Sequence, residues 1–240
     1  MTSFVLKIIA IVSMLADHLG NAYFNHITVM NLIGRFAFPI FAFQISEGYL
    51  HTKNLKKYFL RLFLFALLSQ IPFMLFNSTF TDGFTLNIFC TLFLGLLAIF
   101  AHDKIVHSNF NVVQNKSINL IIKQCIGIAI AILLAVLSEV CHFDYGFFGI
   151  AIIFLFYLFK NDKLAMVISF VTSCIIKYGI TIILHSYNTL YVIWYALLGM
   201  FTILPIIFIC LYNGKQGKKV KYLLYLFYPV HLIILYFLFK

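Results

Sequence analysis

Residues 4–23 read FVLKIIAIVSMLADHLGNAY, and this stretch decides how the chain is read. Val, Ile, Leu, Ala and Met fill most of it. At 1.5 Å per residue it is long enough to cross the hydrocarbon core of a bilayer, about 30 Å thick. Asp17 and His18 stand side by side inside it. A carboxylate at such depth costs about 2.5–3.5 kcal/mol on the insertion scale, and a chain that keeps one uses it for a pathway, a relay or chemistry. The plainer alternative is a buried hydrogen bond to a neighbouring helix.

The whole chain points to the same solvent. Of its 240 residues 63% are hydrophobic and 10% charged, with 29 Phe and a mean hydropathy of +1.03. Such a composition excludes an ordinary soluble domain and predicts an all-α polytopic membrane protein, residues 1–240 forming a single transmembrane helical domain. The first apolar segment has no small-residue cleavage site and reads as a span rather than a removed signal.

Apolar runs of spanning length predict a bundle of about nine transmembrane helices, near 4–23, 29–50, 57–77, 85–101, 118–140, 145–159, 164–184, 190–212 and 221–239, the sixth being short. Lys53, Lys56 and Lys57 follow the second, Lys104 and Lys116 the fourth, and Lys160 and Lys163 the sixth; Lys215, Lys218, Lys219 and Lys221 precede the ninth. The loops between, at 24–28, 78–84, 142–144 and 185–189, carry no Lys or Arg. Positive loops stay in the cytoplasm, so the N-terminus is expected inside and the C-terminus outside.

The net charge of +10 follows from that rule. It does not indicate nucleic acid, because the cations are divided among separate loops with no base-stacking platform. Cys90, Cys125, Cys141, Cys174 and Cys210 lack metal or redox spacing and read as packing residues, so no metal is expected. Phosphate-loop, dinucleotide and hydrolase-elbow motifs are absent, and no internal repeat of the transporter kind is visible.

Depth along each span sorts the polar residues into two layers. Asp17, His18, Arg35, Glu139, Asp144, Lys177 and His185 fall in the outer half, with His231 near mid-membrane after Pro229, whose ring disrupts the helix. Glu47 and His51, four apart on one face, and Arg61 fall on the cytoplasmic side. Each has a plainer reading. Arg35 can snorkel to headgroups, Glu47 and His51 can be an interfacial pair, and Arg61 with Lys57 can be a positive-inside anchor.

Several stretches together resemble one family. They are LKIIAIVSMLADHLG from Leu6, GRFAFPIFAF from Gly34, SEGYLHTKNLKKYFLRL from Ser46 and SQIPF from Ser69. LNIF from Leu86, TLFLG from Thr91, YNGKQG from Tyr212 and YLFYPVHLIILY from Tyr225 complete the set, with DYGFFGI from Asp144 standing out between. The chain is similar to the TraX family, multi-pass proteins of the bacterial cytoplasmic membrane named for F-pilin N-acetylation in conjugation systems. The resemblance implies transfer of an acetyl group from cytoplasmic acetyl-CoA to an acceptor at the outer face: a pilin or peptide N-terminal amine, or a cell-surface glycan. It also implies kinship with acyltransferase-3-type enzymes and with lysosomal glucosaminide acetyltransferase, which use a first-helix His; His18 is the matching position.

The residues suit that chemistry. Acyl transfer needs a base for the attacking amine or hydroxyl, and imidazole titrates near 6.5. His18 is the expected base, His231 its rival, Asp17 a charge that sets protonation or holds Arg35, and Arg35 a stabiliser of the oxyanion or a partner of Asp17. Arg61, Lys57, Lys215, Lys218 and Lys219 are expected to hold the CoA phosphates at the cytoplasmic mouth, beside Glu47 and His51. A proton-coupled transporter using the same His, Asp and Glu as a relay is the alternative, and a helper subunit without activity a third reading.

Overall fold

The computed structural model describes residues 1–24, 28–78, 83–110, 112–184, 188–218 and 221–239. His185, Lys219 and Lys240 lie outside them. Within them the secondary structure is helical, apart from one isolated bridge pairing Leu86 with Phe143.

The helices are α1 (Ser3–Phe24), α2 (Val29–Gly34), α3 (Ala37–His51), α4 (Leu55–Asn77), α5 (Ile88–Val106), α6 (Lys116–Val140), α7 (Gly146–Leu158), α8 (Lys163–Leu184), α9 (Thr189–Ile203), α10 (Pro205–Cys210) and α11 (Lys221–Phe239). They lie within apolar segments expected from the sequence, two of which are broken in the middle. Pro39 has no N–H for the Arg35 carbonyl, and its ring clashes there, so α2 and α3 separate at Arg35–Phe36. Pro205 separates α9 from α10 in the same way and sits at the first position of α10, where its missing N–H costs nothing. The disruption expected at Pro229 is not found: α11 continues through it as one helix.

Among the described residues seven segments, against about nine expected, are long and apolar enough to cross a membrane, Val29–His51 and Thr189–Cys210 among them with their breaks included. Two others are shorter apolar helices, Gly146–Leu158 and the described part of the last, Tyr225–Phe239. The brevity of α7 has a packing reason. It is apolar all round and sits inside the bundle against α3, α5, α6 and α8, with Ile150, Ile152 and Ile153 fully buried. Gly95 of α5 lets the two helices meet, since a Cβ there would stand 2.4 Å from Ile153 Cδ1. By contrast α6, α8 and α9 present outward rows of large apolar side chains such as Leu133, Ile175 and Leu190.

Capping explains where helices begin. The side chains of Asn54, Asn87, Asn115 and Asn188 each accept a backbone N–H of the first turn that follows. The largest boundary difference from expectation is in α5, which starts at Ile88 and continues past 101 to Val106. The charge at Asp103 does not end the helix because Tyr49 and Tyr157 donate their hydroxyls to its two oxygens, both at 2.7 Å.

The Lys-rich connections gather at one end of the bundle. The N-terminus is bound there to the connector 211–218: Ser3 N donates to Lys215 O at 2.9 Å and Phe4 N to Gln216 O at 3.1 Å. At the opposite end the bridge is completed by Leu86 N to His142 O (2.9 Å) and Asp144 N to Leu86 O (2.8 Å), which fixes the DYG turn.

Candidate active site

The two rival histidines meet. His18 on α1 and His231 on α11 are 213 residues apart, yet His18 Nδ1 lies 2.7 Å from His231 Nε2. Their ring planes differ by 13° with centroids 5.0 Å apart. A 2.7 Å N···N contact plus the two ring radii accounts for that separation, so the rings meet edge to edge in one plane rather than face to face.

The second bond of His231 settles the tautomers. Its Nδ1 lies 2.7 Å from the Phe227 carbonyl, an acceptor, so Nδ1 carries the hydrogen. In neutral His231, Nε2 then accepts, His18 Nδ1 donates, and His18 Nε2 keeps a lone pair. Phe76 and Tyr228 pack beside His18 at centroid distances of 5.3 and 6.3 Å.

Asp17 points elsewhere, as adjacent positions on a helix do. Arg35 Nη2 donates to its Oδ1 at 2.7 Å, and Asn31 Nδ2 donates to its backbone carbonyl at 3.2 Å. Arg35 is therefore paired inside the bundle and does not snorkel. Gly34 permits the approach: a Cβ there would come within 2.3 Å of Asp17 Cβ. Arg35 also interacts with Tyr145 and Tyr178, and Lys177 Nζ lies 4.2 Å from the Phe148 ring centroid and 5.3 Å from that of Tyr145. Asp144, in the connection before α7, joins this group. Burial pushes its carboxyl up to about 6, against the pull of Arg35 and Lys177. Glu139 instead caps α7, accepting Phe147 N at 2.8 Å.

At the Lys-rich end a cavity of about 740 Å³ opens between α1, α3, α4, α5 and α11. Lys7, Glu47, His51, Lys53 and Lys57 line its mouth, and Arg61 lies one to two turns deeper on α4; beside and beyond it the lining is apolar, with Met14, Leu62, Ile88, Phe89 and Tyr228. Tyr228 touches both histidines, its centroid 5.7 Å from that of His231. Arg61 Nε is buried with no hydrogen-bond partner, while its guanidinium lies 5.7 Å from the Tyr58 ring centroid. A buried guanidinium nitrogen left unpaired is costly, and an anion in the cavity would satisfy it.

The expected phosphate set is only partly gathered. Arg61, Lys57, Glu47 and His51 line the cavity, but the 211–218 connector contributes Tyr212, Gly214 and Gln216 to it rather than Lys215 or Lys218. The backbone of that connector is turned toward α1 by its bonds to Ser3 and Phe4, which leaves Lys215 and Lys218 exposed. Glu47 and His51 form a rim pair, His51 Nδ1 bonding the Glu47 carbonyl at 3.0 Å. Tyr212 hydrogen bonds Glu47, and burial together with that carboxylate pushes its phenol up to about 12, so it stays a donor.

Sequence reasoning missed Lys7, Met14 and Tyr228. A signal existed for the first two: positions 7, 14 and 18 recur with helical period, so one face of α1 runs from the mouth through Met14 to His18. Tyr228 carried one as well, standing three positions before His231 in the YPVH stretch and so on the same helix face.

The chain is 24% identical over 252 residues to the probable fimbrial assembly protein FimC, serogroup H1, of Dichelobacter nodosus, covering 98% of this chain and 94% of that one. No solved structure matches. The TraX protein family model matches residues 3–239, both histidines and the whole cavity included, and the chain belongs to the TraX family.

Proposed function

We propose that this TraX-family protein is an integral-membrane acetyltransferase that moves an acetyl group from acetyl-CoA to an acceptor at the other end of the bundle. One observation carries the reading: a cavity with a basic mouth ends at a tyrosine that touches the histidine pair. Along α1, Lys7 and His18 are eleven positions apart, about 16 Å, so a donor anchored at the mouth by its phosphates lies lengthwise toward the imidazole. The cavity volume falls within the range of small-molecule sites.

His18 Nε2 takes the proton of the acceptor amine or hydroxyl as that group attacks the thioester carbonyl. The new C–N or C–O bond forms, the C–S bond breaks, and the CoA thiolate leaves with the proton from His18. His231 fixes the His18 tautomer through the 2.7 Å bond and shares the positive charge that develops. Of its two expected roles, the direct contact with Asp17 favours pairing for Arg35. Loop charge orients the basic mouth toward the cytoplasm, with the N-terminus inside and the C-terminus outside. The name of the relative ties that protein to fimbrial assembly, which favours a pilin or fimbrial peptide amine in the bacterial cytoplasmic membrane over a glycan.

The same N–H···N contact suits a proton-coupled carrier, because it can pass a proton between helices. Purified protein given acetyl-labelled acetyl-CoA and a peptide amine separates the two. Thiol release with labelled peptide supports the transferase; proton flux in liposomes without any thiol release refutes it. For orientation, a cysteine placed at Lys218 should be shielded from impermeant reagents in intact cells and one at Gly83 labelled. The reverse pattern would invert the topology.

A further inference from the structure

The inner end of the cavity is lined by buried side chains. Met14, Leu62, Ile88, Phe89 and Tyr228 are each 8% exposed or less. Tyr228 is held from several sides: edge-on to Phe89 at 5.3 Å, beside both imidazoles, and with its phenol oxygen bonded to the Ile88 backbone N–H. Met14 is the adaptable member, unbranched with three rotatable bonds, and it stands one turn before His18 on the same face of α1.

We propose that this end is an acyl-length gauge: Met14, backed by Tyr228, seats the two-carbon acyl group of an acyl-CoA thioester and rejects longer chains. The proposal rests on the acetyltransferase reading and names the donor class that the cavity accepts. A wall packed this tightly has no space for added methylenes, and each methylene is worth about 10-fold or more in discrimination. Replacing Met14 by Ala removes Cγ, Sδ and Cε, more than the two extra carbons of a butyryl group.

The test uses the full chain in detergent, with acetyl-CoA and butyryl-CoA as donors and a peptide amine as acceptor. The ratio of their kcat/KM values within one preparation is unaffected by how much protein is folded. The natural protein should favour acetyl over butyryl by ~100-fold or more, from two methylenes at ~10-fold each. Met14→Ala should narrow that ratio by ~10-fold or more. Leu62→Ala, on the α4 wall of the same end, should narrow it too and serves if the Met14 variant does not insert. An unchanged ratio in both variants, or equal use of both donors by the natural protein, overturns the gauge while leaving acetyl transfer standing. Turnover of neither donor overturns the transferase reading and the gauge with it.

Discussion

Asp144 shows how one residue ties charge, burial and pH together. Its ordinary carboxyl value of 3.8 is raised to about 6, chiefly by burial. The folded protein therefore keeps a proton across an interval in which the unfolded chain has lost it. The resulting stabilisation is complete below about 3.8 and disappears as pH rises through about 6. Asp144→Asn imitates the protonated group at every pH. Its melting temperature should therefore gain on that of the natural protein as pH is raised from about 5 to about 7.5; parallel curves would show that Asp144 does not titrate there. The sequence marked Asp144 as conspicuous, yet could not reveal that Arg35 and Lys177 approach it from the break after α2 and from α8, because those distances exist only in the folded bundle. His18 and His231 were legible for the same local reason, titratable groups inside apolar helices. Their mutual bond was not, since nothing in either helix encodes the contact across 213 positions.

At the scale of the element, helices were legible where they are apolar but their breaks were not: α11 runs unbroken through Pro229, where a disruption was expected, while Pro39 and Pro205 break segments read as continuous. Helix ends near charge were also less legible, as α5 shows: the apolar run ends near 101, but the helix continues to Val106 with Asp103 held by two tyrosine hydroxyls. Close crossings were also hidden, because they depend on what a glycine faces. Gly34 is the clearest case. A methyl group there would overlap the Asp17 side chain, so Gly34→Ala must push α2 from α1 and strain the Asp17–Arg35 pair. We expect a loss of about 1–3 kcal/mol in stability, the usual cost of overpacking, measured by detergent-solubilised unfolding. No change would mean that α1 and α2 are not held at this distance.

On the scale of the whole molecule, the bundle separates two kinds of polar chemistry. The Lys-rich end opens into the cavity, and the acid- and aromatic-rich end holds Asp17, Arg35, Asp144 and Lys177, with the histidine pair between. If the mouth holds CoA phosphates, Arg61→Ala should weaken acetyl-CoA binding, and binding by the natural protein should weaken as salt rises, because attraction at an aqueous mouth is screened. Unchanged affinity in both series would reduce Arg61 to a membrane anchor. The central claim, that His18 is the base of an acetyl transfer fed from this cavity, is tested most directly by turnover. CoA thiol release from acetyl-CoA, with a peptide amine as acceptor, should fall at least ~100-fold in His18→Ala while the variant remains monodisperse. His231→Ala should fall less, because the base remains and only its tautomer is released. Full activity in His18→Ala with loss in His231→Ala would move the base to α11, and full activity in both would contradict the histidine mechanism.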